Sequence, residues 1–179
     1  FLSLAGLAAR RLGVRDIVMI AENGQLAINL PLTAARISAF STHTAHPEFI
    51  HCMSQILTDL LSYNITIVNP FLYLTKAEAV KTAVTQHLDV AKVTVSCWMA
   101  SRLVGYETHC GFCVPCLIRR IAIEANNAQI QEYKRDLLAE DVLSLDTDDE
   151  GRRNLIDLAE FIRIFETEKS QAALEDEYP

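Results

Sequence analysis

The chain has 179 residues, room for one domain or one domain with an appendage, and half of them are apolar, enough for a sizeable core. Its formal net charge of −7 argues against direct nucleic-acid binding, which calls for a basic face. No apolar run approaches the length of a membrane span and no secretory signal is visible, so no membrane association is expected.

In chain order, residues 2–12 read as a helix with Leu4, Leu7, Ala8 and Leu12 on one face and Gly13 as its stop. The chain opens at Phe1 inside this helix, without Met, and reads as a fragment that starts mid-domain. Asp16 to Ala21 (D-I-V-M-I-A) fits a strand buried on both faces, as in a parallel sheet, and helix followed by buried strand is the rhythm of α/β proteins. Glu22, Asn23 and Gly24 come next. Open parallel sheets bind ligands beyond the carboxyl ends of their strands, so this tripeptide is a candidate nucleotide contact; a plain strand-end turn explains it equally well.

Residues 25–46 read as irregular. The stretch S-T-H-T-A-H within them offers donors for phosphate or carboxylate, with Thr42, Thr44 and His46 as candidates, although His46-Pro47 also suits a helix start. Residues 47–62 form the clearest amphipathic helix, with Phe49, Ile50, Met53, Ile56, Leu57, Leu60 and Leu61 repeating at three and four. Cys52 falls on its apolar face as an inert core thiol. A short strand at 65–68 stops at Asn69-Pro70. Thr75-Lys76-Ala77-Glu78 is a capping box that opens a helix running to about Leu88, with Ala77, Val80, Val84 and Leu88 inward. Lys76 opposes the dipole of that helix, which hints at a ligand; a solvated lysine is the ordinary alternative.

Cys97 to Cys116 holds four of the five cysteines. Cys110, Cys113 and Cys116 make two overlapping C-x2-C pairs, with Cys97 upstream. Four thiolates on short loops can close a tetrahedral shell around Zn²⁺, and a shell of four protein ligands leaves no open position for water, so the site reads as structural. Gly111 gives the first turn room for positive φ. A disulfide framework and a redox C-x2-C are the competing readings, and His109 could stand in for one cysteine. Unpaired cysteines at zinc spacing point to a reducing, cytoplasmic compartment.

Beyond the cysteines, 117–127 is helical with Arg119 and Arg120 in its first turns, 130–139 reads as a short helix, and Asp146 to Glu150 as a solvated acidic linker. A last helix at 152–166 is apolar over a wide arc that includes Leu155, Ile156, Leu158, Phe161 and Ile162, whereas a surface helix needs a stripe of about 100°. One face is therefore expected on the core. A second, carrying Phe161, is expected on a second chain or on the N-terminal segment that the fragment lacks, with burial in a crevice of the same core as the alternative.

Several of these pieces coincide in order. Pro47-Glu48-Phe49-Ile50, Asn69-Pro70, Leu74-Thr75-Lys76-Ala77-Glu78, Ser96-Cys97 and C-G-F-C-V-P-C-L-I-R ending at Arg119 together resemble the 7-cyano-7-deazaguanine synthase family over roughly residues 1–125. The resemblance implies an α/β fold of the PP-loop ATP pyrophosphatase superfamily, a Rossmann-like parallel sheet of adenine nucleotide hydrolase type. Residues 1–128 would be its C-terminal part, with the zinc loop at 97–116, and 129–179 a helical extension. It further implies an ATP-dependent, C–N bond-forming ligase of the queuosine type, in which ATP with Mg²⁺ adenylates a carboxylate and ammonia then yields amide and nitrile. Zinc would be structural, Lys76 catalytic, and Glu22, Asn23, Gly24, Thr42, Thr44, His46 and Arg119 would face nucleotide or substrate.

The family's S-G-G-x-D-S phosphate loop does not occur in this sequence, whose six glycines are unclustered, so the chain alone is expected to lack ATP chemistry. S-T-H-T-A-H replaces a cysteine-containing loop of the synthase, and residues from about 130 exceed its usual ending. Both features resemble paralogues from bacterial antiviral defence clusters, a resemblance that implies a protein substrate as the alternative. Two other readings stand beside this one: a tRNA-thiolating PP-loop enzyme whose cysteines carry sulfur, and a non-catalytic zinc-stabilised interaction module of a defence complex, docking a partner protein or a second copy through the last helix.

Overall fold

The computed structural model describes residues 1–18, 21–28, 45–100, 109–128 and 133–167. They form a mostly helical α/β protein, and no helix among them is long and apolar enough to cross a membrane. The described residues divide into two compact units, one up to Thr75 and one from Lys76 onward.

In the first unit, α1 (Leu2–Leu12) ends at Gly13, whose φ of 70° lets the chain turn back. β1 (Asp16–Val18) pairs in parallel with β2 (Thr66–Val68), Ile17 opposite Ile67. Between them lie the short α2 (Gly24–Ile28), where an irregular segment was expected, and α3 (Pro47–Leu61). Two hydroxyls stitch α3 to the segment around β2. Ser54 Oγ donates to the Ile65 carbonyl at 2.8 Å and accepts the Ile67 N–H at 3.1 Å. Thr58 Oγ1 donates to the Ile65 carbonyl and accepts the N–H of the same residue. Ile50, Leu57, Leu61, Ile65 and Ile67 form the core, with Leu2, Ile17, Met53 and Tyr63 against it.

The faces differ from expectation. α1 turns Gly6 and Ala9 inward and leaves Leu4, Leu7, Ala8 and Leu12 exposed. Gly6 is the reason: its Cα lies so close to Leu57 that an added Cβ would sit 3.1 Å from Cδ1. The small-residue face makes the close approach, and hydrophobicity does not choose the side. α3 likewise buries only the edge at Ile50, Leu57 and Leu61, so Phe49, Ile56 and Leu60 are exposed, and Cys52 is a surface thiol rather than a core one. Asp16 is exposed and Ile17 half-buried, so this part of the strand is not enclosed on both faces.

The second unit holds α4 (Lys76–Gln86), α5 (Leu88–Val93), α6 (Val114–Glu124), two 3-10 turns (Leu137–Ala139, Val142–Ser144) and α7 (Glu150–Thr167). The helix expected to reach Leu88 breaks at His87, and Leu88 starts α5 half out in solvent. Asn126 Nδ2 donates to the Ala77 and Ala122 carbonyls, tying the end of α6 to α4. Leu117, Leu137 and Leu158 form a second core with Phe112, Ile118, Val142, Leu145 and Leu155. Phe161 is buried, so the outward face of α7 is the one carrying Ile156, not Phe161.

One expectation beyond residue 128 is overturned and another holds only in part. In place of a helix at 130–139 the described residues show a 3-10 turn at 137–139, following residues 133–136 that are not helical. Of the stretch Asp146 to Glu150, Asp146, Thr147, Asp148 and Glu150 are exposed as expected, whereas Asp149 is half-buried and tied down. Asp149 accepts the Arg152 N–H at 2.9 Å and pairs with Arg135 at 2.9 Å, while Arg135 also binds Glu140 at 2.8 Å. The Arg152 N–H first, and the Arg135 guanidinium second, hold the Asp149 carboxyl below its ordinary value of 3.8. A lowered folded-state pKa stabilises the fold above the unfolded value, and that contribution is lost as pH falls through the folded one. Asp149→Asn should therefore melt below the parent near neutrality, and the gap should close as pH drops below 3.8; a gap that is the same at both ends would contradict this.

Candidate metal centre

The four cysteines reach one point from two directions. Cys97 follows α5 after Thr94 turns the chain into extended backbone, and Cys110 precedes α6, with Cys113 as its N-cap and Cys116 in its first turn. All four are buried, and their sulfurs lie within 4.8 Å of one another. The Cys110 and Cys116 sulfurs are 3.8 Å apart. A tetrahedron of Zn–S bonds of about 2.3 Å has edges of roughly 3.8 Å, so the spacing suits such an ion. It is far from the ~2.05 Å of a disulfide, and all five cysteines are free.

The backbone is arranged for thiolates. The Cys113 N–H points at the Cys110 sulfur and the Met99 N–H at the Cys97 sulfur, each at 3.3 Å. The turn is possible because Gly111 sits at φ 84°, as its place between two cysteines suggested. The Cys116 thiol, donating to Cys113, lowers the Cys113 pKa to about 5, with help from the N–H groups of Cys116 and Trp98. Burial pushes Cys110 up to about 11, and the hydrogen bond to Cys113 raises Cys116 as well. The shared hydrogen bonds thus favour a thiolate at Cys113 over one at Cys110 or Cys116. A divalent ion would allow all four to ionise, because metal binding displaces thiol protons.

His109 does not replace a cysteine. It is buried, and its Nε2 accepts the Ser96 N–H at 3.2 Å. Burial, then the nearby Arg119 charge, lower its pKa and keep it neutral for that role. Its ring stands edge-on to Tyr133 with centroids 5.7 Å apart. Arg119 is buried too: it donates to the Ala91 carbonyl at 3.0 Å and reaches Ser96 Oγ at 3.5 Å. The structure thus places this side chain inside the unit, holding the approach to Cys97.

The other candidates sit as follows. Asn69 Nδ2 donates to the Glu22 carbonyl, Asn23 is buried, and the Gly24 N–H bonds to the Leu74 carbonyl. A Cβ on Gly24 would lie 2.2 Å from the Leu72 carbonyl oxygen, so close packing requires glycine there. His46 caps α3, accepting the Glu48 N–H at Nδ1. Lys76 is the half-buried first residue of α4. Thr42 and Thr44 lie outside the described residues. Asn69 was missed as the peg of the Glu22–Gly24 turn, although Asn-Pro marked the spot; Tyr133 and Asn154, which touch the cysteine loop, carried no signal.

A family model described as "Queuosine biosynthesis protein QueC" matches residues 1–127. The chain belongs to this family. No curated protein matches it. The QueC match spans all four cysteines, Lys76 and Arg119, and ends just past α6, so 3-10 turns and α7 fall beyond it.

Proposed function

We propose that this QueC-family chain is the metal-bearing region of an ATP-dependent enzyme that activates a carboxylate by adenylation and converts it to an amide or nitrile on a deazapurine-type substrate. The observation that carries the reading is the family match over residues 1–127. The buried four-cysteine cluster supports it as the place of a structural zinc, with Cys97, Cys110, Cys113 and Cys116 as ligands. When bound, zinc would supply a cross-link between the Cys97 segment and α6, not an open coordination position.

ATP and Mg²⁺ would sit on a glycine-rich loop, which this sequence does not contain. Lys76 is proposed to act on the nucleotide or substrate, and the Glu22–Gly24 turn, Thr42, Thr44, His46 and Arg119 are proposed as further nucleotide or substrate contacts. A reducing cytoplasm fits the free thiols. The tRNA-thiolating alternative needs an accessible sulfur, whereas the four clustered cysteines are buried. A protein partner or second copy would meet α7 on its Ile156 face.

Joined to a segment bearing S-G-G-x-D-S, the chain should exchange pyrophosphate into ATP only when a carboxylate substrate is present; exchange that ignores the carboxylate would contradict the reading. In that protein Lys76→Ala should lower turnover at least tenfold, an effect of ~1.4 kcal/mol or more. Its melting temperature should hardly move, because first-turn sites contribute little stability. Equal turnover of variant and parent would remove Lys76 from the site.

A further inference from the structure

The region beyond the family match is built onto the cysteine loop at four separate points. The Lys134 N–H donates to the His109 carbonyl at 2.8 Å, where Tyr133 and His109 form a parallel bridge. The Arg135 carbonyl lies so close over Gly111 that a Cβ there would be 1.7 Å from its oxygen. Asn154, in the second turn of α7, donates its Nδ2 to the Phe112 carbonyl at 3.0 Å. Gly151 lets the same helix rest on Phe112, where an added Cβ would meet the Phe112 Cβ at 3.0 Å. Phe112 itself packs against both the cysteine cluster and the Leu117–Leu137–Leu158 core.

The first C-x2-C turn is thus held from outside at successive points: before Cys110 at its neighbour His109, at Gly111 by Arg135, and at Phe112 by α7. Backbone contacts of this kind depend on the turn's shape, and that shape is the one in which N–H groups point at sulfur. We infer that residues 133–154 are the second half of the metal site, clamping the turn at 109–113 so that metal and helical extension hold each other in place. The inference rests on the reading of the four cysteines as metal ligands. Coupling of this sort is reciprocal: whatever the extension adds to metal retention, the metal adds to the docking of α7.

The test uses the whole chain loaded with zinc. Release to an excess of a chromophoric chelator should be several-fold faster in Asn154→Ala than in the parent, as expected for one lost hydrogen bond. Ile156→Ala, two residues on but facing outward, should release at the parental rate. In the parent, removing zinc should raise hydrogen exchange across α7 while α3 keeps its protection; this arm needs no variant and decides alone if Asn154→Ala does not fold. Unchanged protection of α7 on chelation, or parental release from a folded Asn154→Ala, overturns the clamp and leaves metal binding intact. A parent that holds no metal when made with zinc present overturns the metal reading as well, and the metal content of the parent tells the two failures apart.

Discussion

Cys116→Ser should lose its metal and most of the order of the loop around it. Cys116 is fully buried, sits in the first turn of α6, and is one of two residues that tie the helix itself to the cluster. A serine hydroxyl is a poor ligand for Zn²⁺ at neutral pH, and three thiolates leave an open position for water. In small zinc modules the metal contributes on the order of 10 kcal/mol of folding free energy, so even a partial loss is large beside ordinary core substitutions. The expected result is sub-stoichiometric zinc after dialysis against chelator and a melting temperature lowered by well over ten degrees. Cys52→Ser is the matched control: the thiol is exposed and apart from the cluster, and the change should stay within about 0.5 kcal/mol. Full zinc content in Cys116→Ser would remove Cys116 from the site.

Gly111→Ala should be nearly as damaging for a different reason. At φ 84° an alanine is strained, which alone costs about 1–3 kcal/mol. Its Cβ would also occupy the space of the Arg135 carbonyl, 1.7 Å from the oxygen and 3.0 Å from the Tyr133 Cβ. Neither neighbour can withdraw cheaply, since Arg135 is fixed by Glu140 and Asp149 and the Lys134 N–H by His109. Roughly 3 kcal/mol or more is expected in denaturant unfolding, together with faster zinc release. Gly13, with a similar φ of 70° but nothing near its Cβ position, should tolerate alanine better. Equal costs at the two glycines would contradict the close approach at Gly111.

What could be read from the chain was whatever is local. The C-x2-C spacing brought Cys110, Cys113 and Cys116 together on paper because three residues fix their separation, and Cys97 joined them as expected. Helices α3 and α7 announced themselves through periodicity and, at His46-Pro47, through a cap that the structure shows, while the helix expected at 117–127 runs from Val114 to Glu124. The buried sides were harder. From Leu4 to Ala9 every residue of α1 is Leu, Ala or Gly, so periodicity could not say that Gly6 and Ala9 would be the buried ones, with Gly6 against Leu57. Cys52 sits one position from the half-buried Met53, and a helix turns 100° in that step, enough to move a thiol from core to surface.

The contacts over the cysteine loop were invisible for another reason. Asn154 meets a backbone carbonyl 42 residues away, and Arg135 meets Asp149 across 14. Carbonyls leave no trace in sequence, and an arginine in a charged stretch looks solvated until its partner is placed. The same blindness hid the tie at Asp149 within the otherwise exposed stretch Asp146 to Glu150. The hydrogen bonds of Arg119 were equally hidden, because they run to the Ala91 carbonyl and to Ser96 Oγ, 28 and 23 residues upstream.

The central claim is a closed four-sulfur metal centre, and zinc X-ray absorption on the zinc-loaded chain tests it most directly. The account predicts one zinc per chain surrounded by four sulfurs at about 2.3 Å, with no nitrogen or oxygen in the shell. A chain made with zinc present that carries none, or a shell containing imidazole nitrogen or water oxygen in place of a sulfur, would contradict it.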